Sequence, residues 1–349
     1  MKAGVVFAPF DIRYTDMEKP VPKENEVLVK VKYTGICGSD IPRVHGNACH
    51  FFPIVLGHEF SGVVEQVGKE VTRFVPGDRV AGVPLVPCMK CPDCQRGDYS
   101  LCKHYSFIGS RQNGSFAEYI SVPELNLVKF GENVDFIKGA SFEPATVALH
   151  GLERTGYKGG KTVAILGGGN VGLLTMQWAK IFGAAKLVVF DINPQRLELA
   201  KKLGATEGIN TLEEGFMEKA MAITGGVGYD YIFETAGNTI TMKMAFELAA
   251  NKANVCFIGT PTKELSFTVK EWENINRKEF NLTGSWMSYS APFPGHEWDL
   301  TAHYFGTGEL QFTDDFIFKK IPLSQIDKAF EMYRTPGTVK GKIFIDSEA

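Results

Sequence analysis

From Val27 the chain alternates apolar and polar residues in short runs. Val27-Leu-Val-Lys-Val-Lys is followed by Gly62-Val-Val-Glu-Gln-Val, and Pro76-Gly77-Asp78 supplies a turn before Arg79-Val80-Ala81. A period of two predicts half-buried strands, so the stretch to about Pro123 reads as a small barrel. At Thr162 the rhythm changes to short apolar runs separated by helical stretches, the pattern of a parallel sheet wound by crossover helices. The predicted strands are Thr162–Leu166, Lys186–Phe190, Tyr229–Phe233 and Asn254–Ile258; the predicted helices are Val171–Phe182, Pro194–Leu203 and Ile240–Ala250. A helix near Leu323–Tyr333 and a strand at Gly341–Asp346 close the chain, and that strand alternates like the N-terminal half, to which it is expected to return.

Length and charge narrow the picture without deciding it. The 349 residues exceed one comfortable hydrophobic core, and 44% apolar residues with 37 glycines suit a turn-rich globular protein. A net charge of −3 with mixed signs offers no basic stripe for nucleic acid and no polybasic membrane segment. The N-terminal apolar stretch is too short for a secretory signal, and no run of about 18 apolar residues exists to span a bilayer. Clustered cysteines of odd number suit metal binding in a reducing cytoplasm better than a disulfide framework. Cys49 and Cys256 read as free thiols.

Four cysteines change the picture most. Cys88, Cys91, Cys94 and Cys102 stand at C-x2-C-x2-C-x7-C spacing in a segment of Pro, Gly, Asp and Lys that could not otherwise pack a core. Thiolates so spaced can converge on a tetrahedral structural zinc, with an iron–sulfur cluster as the competing reading. A second motif, Gly167-Gly168-Gly169-Asn170-Val171-Gly172, follows a strand and opens a helix, where a dinucleotide fingerprint must sit. Gly167 allows the tight turn, Gly169 lets the backbone approach a pyrophosphate, and Gly172 lets helix lie on strand. Asp191 ends the next strand, where a carboxylate accepts ribose hydroxyls and repels a 2′-phosphate, predicting NAD; Arg196 is the residue nearby that could greet that phosphate.

A third set concerns a catalytic metal. Cys37-Gly-Ser39-Asp40 and Gly57-His58-Glu59 offer a thiolate and an imidazole, although alone Cys37 reads equally as a buried thiol and His58 as a core histidine. With Glu143 in Phe142-Glu143-Pro144-Ala145 they make three protein ligands and an open fourth place. In these runs, the cysteine lobe and the glycine turn, the chain resembles the zinc-dependent medium-chain dehydrogenase/reductase family, in its polyol dehydrogenase branch. Cys37-Gly-Ser-Asp-Ile-Pro-Arg43, Phe107-Ile-Gly-Ser-Arg111 and the long Gly284–Trp298 run narrow the resemblance within the branch.

That resemblance implies a GroES-like β-barrel catalytic domain, residues 1–145 and 288–349, carrying the structural-zinc lobe at 88–102. A Rossmann domain of doubly wound parallel sheet is implied at 146–287, with substrate in the cleft between. It implies a catalytic zinc on Cys37, His58 and Glu143, with Glu59 matching a glutamate that ligates or exchanges onto the metal. Ser39 takes the alcohol proton as hydride leaves for NAD; a histidine that often ends the relay is replaced by Pro42, leaving water or His45. The implied reaction is oxidation of a secondary alcohol of a polyol phosphate, galactitol 1-phosphate to its ketose phosphate, with a free polyol of the sorbitol type or threonine as alternatives. Met287-Ser288 stand where sorbitol-oxidising members carry Arg-Tyr, so polyol contacts must differ. A buried phosphate needs cations, for which Arg43 leads, against its reading as a solvated loop charge, and Arg111 and Lys90 follow. His150 reads as a packed helix residue. Trp286, Phe293 and Trp298 read as a pocket wall or equally as an aromatic core or subunit contact. A non-catalytic nucleotide-binding relative would not need Cys37, Ser39, His58 and Glu143, all of which are present. A homodimer or homotetramer paired through the edges of the nucleotide-binding sheets is the implied assembly.

Overall fold

The computed structural model describes residues 1–335 and 337–349, and two compact units divide them. One comprises Met1–Glu143, Tyr289–Gly308 and Phe312–Ala349; the other comprises Pro144–Ser288 and Glu309–Gln311.

In the first unit the strand Glu26–Gly35 is the hub of a seven-stranded sheet. Along one edge it pairs antiparallel with Glu59–Val67, from Val27 opposite Val67 to Gly35 opposite Glu59, with two bulges on the way. Along the other edge it changes partner: Glu26–Lys30 pair with Tyr119–Pro123, and Tyr33–Gly35 pair with the last strand, Lys342–Asp346. The last strand thus returns to the N-terminal sheet, as its alternation predicted. Inward residues Val27, Val29, Val31, Phe60, Val64, Val80, Ile120 and Val122 form one core, each contributing about 1.5–3 kcal/mol on burial.

In the second unit six parallel strands lie in the order 3-2-1-4-5-6 when numbered along the chain. The central strand, Thr162–Leu166, is buried from Val163 to Leu166, as a strand covered on both faces must be. Helices Asn170–Ile181 and Pro194–Leu203 follow the first two strands. The second of these begins where Asn193 caps the Gln195 N–H and Pro194 needs no donor, and ends at Gly204 in the left-handed region. The expected helix Ile240–Ala250 stops at Leu248, because Ala249 and Ala250 already belong to the strand Ala249–Phe257; alanine has high helix propensity, and sheet pairing outweighs it here. Strands Glu207–Asn210 and Asn281–Gly284 and helices Phe216–Ile223 and His296–Thr307 were not anticipated. No described helix is long and apolar enough to cross a membrane.

One buried side chain braces the approach to the cysteine lobe. Asn126, 2% exposed, donates its amide hydrogens to the carbonyls of Val83 (2.7 Å) and Leu85 (2.6 Å), while the Leu85 N–H donates to the Tyr289 hydroxyl at 3.1 Å. Replacing Asn126 by Leu strands two buried carbonyls, each costing roughly 1–3 kcal/mol. Asn126→Leu is expected to lower unfolding stability by about 2–4 kcal/mol, read from urea midpoints at constant m value.

Candidate active site

The pairing just described assembles the first group of functional side chains. Cys37 follows the end of one strand by two residues and His58 precedes the start of the other by one; with Gly35 opposite Glu59 the two are brought together. Donor atoms of Cys37, His58 and Glu59 lie within 4.8 Å of one another. Thiolate, imidazole and carboxylate form a donor set that suits zinc.

Asp40, a residue not singled out from sequence, orients this group. It ends the short 3-10 turn Gly38–Asp40 and is wholly buried. One oxygen faces His58 Nδ1 at 3.5 Å and Arg43 Nη1 at 3.3 Å, and the other accepts the Cys37 N–H at 3.1 Å. Burial pushes the Asp40 carboxyl up, but the charges of His58 and Arg43 outweigh burial and hold it below the usual range. Such a carboxylate behind a histidine selects the tautomer that leaves Nε2 for a metal.

Glu143, in the first turn of the helix Phe142–Glu153, stands outside the group of mutually close donors. Burial pushes its carboxyl up to about 7, with Glu59 and Asp40 adding to the effect and His58 and Lys342 opposing it. A carboxylate so disfavoured gains most when a cation arrives. Glu59, besides lying in the donor group, forms a buried ion pair with Lys342 at the start of the last strand. Burial opposes the Lys342 charge, and Glu59 and Cys37 more than reverse it, raising its pKa. Nothing local in sequence marks Lys342, which lies 283 positions from its partner in the chain.

The hydroxyl of Ser39 accepts a hydrogen bond from Arg43 Nη1 at 3.0 Å. Arg43 is therefore tied to the metal group through both Ser39 and Asp40, and is no freely solvated loop charge. His45 stacks on Phe10 at 5.6 Å and meets the edge of Phe330 at 6.3 Å, in a pocket of about 170 Å³ shared with Arg334. Among the described residues it has no hydrogen bond to Ser39. Arg111 lies over the Tyr105 ring, 4.5 Å from its centre.

The cysteine lobe brings its four sulfur atoms within 4.8 Å of one another. Cys91 and Cys94 are 3.5 Å apart and Cys88 and Cys94 4.0 Å, on either side of the roughly 3.8 Å that a tetrahedron with Zn–S of about 2.3 Å requires. Backbone N–H groups of Lys90 and Cys91 hold the Cys88 thiol down, to about 6. All four cysteines are free thiols. Aromatic contacts anchor the lobe: Tyr99 meets Phe293 at 5.3 Å, Phe293 stacks on Tyr289 at 5.7 Å, and Tyr289 on the wholly buried Trp298 at 6.1 Å. Phe293 and Trp298 thus form a core, whereas Trp286 is exposed. His150 rides the helix Phe142–Glu153.

The glycine turn has the form a dinucleotide needs. Gly167 has φ of +105°, and a Cβ on Gly172 would lie 1.9 Å from the Gly167 carbonyl oxygen, so helix and turn touch backbone to backbone. Gly169 caps the helix and faces open space, and Asn170 Oδ1 is buried without a partner. A pyrophosphate at this helix N-terminus would meet free N–H groups. Asp191 accepts the Gly168 N–H at 2.6 Å and the Asn193 N–H at 2.7 Å, which aims its remaining lone pairs. Arg196 packs beside it; burial lowers its pKa and Asp191 opposes the shift.

Fold and sites together define a class. An alcohol dehydrogenase GroES-like domain matches residues 23–132, and a zinc-binding dehydrogenase domain matches residues 170–302. The chain belongs to the zinc-dependent alcohol dehydrogenases of the medium-chain dehydrogenase family, with a GroES-like unit and a Rossmann unit, and is an oxidoreductase. It is 41% identical to the galactitol 1-phosphate 5-dehydrogenase of Escherichia coli K12 over 282 residues, 81% of this chain and 82% of that one. The crystal structure of galactitol-1-phosphate dehydrogenase from Escherichia coli superposes with a TM-score of 0.94 at 36% identity, covering 99% of this chain and 100% of that one. A provisionally assigned zinc-binding dehydrogenase from Sinorhizobium meliloti 1021, bound to NADP, has a TM-score of 0.89 at 30% identity, covering 99% of each chain.

Because Asp40 orients His58 from behind, Asp40→Asn is expected to weaken zinc at the Cys37–His58 group about 10–100-fold. Competition against a chromophoric chelator measures this directly.

Proposed function

We propose that this enzyme oxidises a secondary alcohol of a polyol phosphate, galactitol 1-phosphate, to the ketose phosphate with NAD. The observation that carries the reading is Arg43, which touches both Ser39 and Asp40 of the metal group. A second guanidinium, Arg111, joins it: burial and the charges of Arg111 and Arg43 together lower the pKa of His50. Arg111 has no carboxylate partner among the described residues. A phosphate dianion gains from two guanidiniums hydrogen bonds charged at both ends, whereas a neutral polyol hydroxyl gains only bonds charged at the donor. The 41% identity to a galactitol 1-phosphate dehydrogenase supports the same substrate.

Two zinc ions per chain fit the two donor groups, one on the four cysteines and one on Cys37, His58, Glu143 and, as an exchanging ligand, Glu59. Zinc at the second group supplies Lewis acidity that lowers the pKa of an alcohol bound there, and NAD accepts the hydride. The protein's own part is orientation and proton transfer. Ser39 receives one hydrogen bond from Arg43, which leaves a lone pair to take the alcohol proton and an O–H to pass one on. Arg43 holds that hydroxyl while facing the phosphate, coupling substrate anchoring to proton removal. Asp191, aimed by two backbone N–H groups, accepts the ribose hydroxyls of NAD. Free thiols at all seven cysteines support a reducing cytoplasm, and the edge strand Asn281–Gly284, with Leu282 and Trp286 exposed, supports pairing of subunits there.

With NAD and zinc-loaded protein, kcat/KM for galactitol 1-phosphate is expected to exceed that for galactitol, sorbitol and threonine. Arg111→Ala should lower it about 10–100-fold, the worth of a charge-assisted hydrogen bond, while leaving galactitol turnover unchanged. Arg43→Ala should lower both, because it also releases Ser39. Equal or better turnover of a free polyol would sink the phosphate reading.

Asp191→Ala is expected to relax the preference for NAD. The NAD/NADP ratio of kcat/KM measures it, and an unchanged ratio would remove Asp191 as the selector.

A further inference from the structure

We propose that Asn113 and Gly114 are positioning residues that fasten the loop carrying Arg111 to the segment that delivers His58, and so fix the separation between phosphate anchor and metal; this rests on the reading of Arg111 as a phosphate anchor. The two ends of the substrate are then held by one rigid piece of chain.

The fastening runs along the backbone. Gly114, Ser115 and Phe116 donate their N–H groups to the carbonyls of Val55 (2.7 Å), Gly57 (3.0 Å) and Leu56 (3.0 Å), and the Val55 N–H donates to Asn113 Oδ1 at 3.0 Å. A Cβ on Gly114 would lie 2.2 Å from the Gly57 carbonyl oxygen, and a Cβ on Gly109 would lie 2.3 Å from the same atom. Loop and segment therefore touch backbone to backbone, one residue before His58. On its other side the segment is held by the strand Lys2–Ala8, with Val5 opposite Val55 and Val6 opposite Ile54.

The loop is also closed on itself. The Arg111 N–H donates to the Phe107 carbonyl at 2.9 Å, the Gly109 N–H to the Gln112 carbonyl at 3.0 Å, and Ser106 Oγ to Gln112 Oε1 at 2.9 Å. Phe107 in turn meets the His58 ring edge-on at 5.5 Å, and Tyr105 carries the Arg111 guanidinium on its face. A phosphate gripped by this loop sets where the carbinol falls relative to the metal, and a misplacement of about 1 Å there costs about 10²-fold in rate.

Steady-state kinetics with NAD and zinc-loaded protein test this. Asn113 is exposed, so Asn113→Ala should fold and lose only the tie to Val55. Its kcat for galactitol 1-phosphate should fall about tenfold relative to its kcat for galactitol, because Arg111 still binds the phosphate but no longer aims it. Inorganic phosphate should accordingly compete with galactitol 1-phosphate at an unchanged inhibition constant. Gly114→Ala, whose added Cβ wedges the two backbones apart, should lower the same kcat ratio further. A wild type that turns over galactitol as well as its phosphate removes the phosphate reading, and this proposal with it. With that preference present, an unchanged ratio in Asn113→Ala overturns the positioning role alone. So does an equal fall with both substrates, the mark of a merely structural role, or a matching rise in the phosphate inhibition constant, the mark of lost binding.

Discussion

The antiparallel register that sets Gly35 across from Glu59 is the constraint on which the active site depends. Side chains alternate along a strand, so a slip of one residue would send the two ends of this pairing to opposite faces. Cys37 and His58 are close because the strands that lead out of and into them are held in this register by a core of valines and Phe60. The same Gly35 pairs with Phe344 on its other side, which brings the far end of the chain to the metal group. Apolar packing thereby positions polar chemistry that no local motif could assemble.

Three buried polar side chains of this unit have partners that explain their tolerance. Asp40 is wholly buried but faces His58, Arg43 and the Cys37 amide. Lys342 is matched to Glu59, and Asn126 to two carbonyls that would otherwise be stranded. Buried charge without such pairing costs several kcal/mol. These partners make the unit stiff where ligands must hold their geometry. The cysteine lobe, which has little apolar surface of its own, gains its footing through Tyr99 against Phe293 and the aromatic stack below.

Much of the site was legible because local chemistry demands local spacing. Four thiolates that share one ion must be near in sequence when their segment lacks a core, and the three glycines must follow a strand and open a helix. The helix Pro194–Leu203 was readable to the residue because cap, proline and terminal glycine all signal its ends. The helix before Ala249 ends two residues sooner than its pattern predicts, since alanine carries no mark of the sheet that captures it. Asp40 reads in sequence as a surface acid, and His50 as an ordinary loop histidine, because Arg111, one of its neighbours in charge, lies 61 positions away. His45 lies near Ser39 in sequence, but its ring stacks on Phe10 and meets the edge of Phe330.

By itself the amino-acid sequence determined the two kinds of fold unit, the cysteine lobe and the glycine turn, because hydrophobic period, metal-ligand spacing and backbone freedom are properties of neighbouring residues. Only the tertiary structure decided which carboxylate backs His58, that Glu59 is held by Lys342, and that Arg43 grips Ser39. Those pairings depend on strand register and burial, which join Glu59 to a residue 283 positions away, on the local fold of the turn that carries Ser39, Asp40 and Arg43, and on electrostatics that act through space.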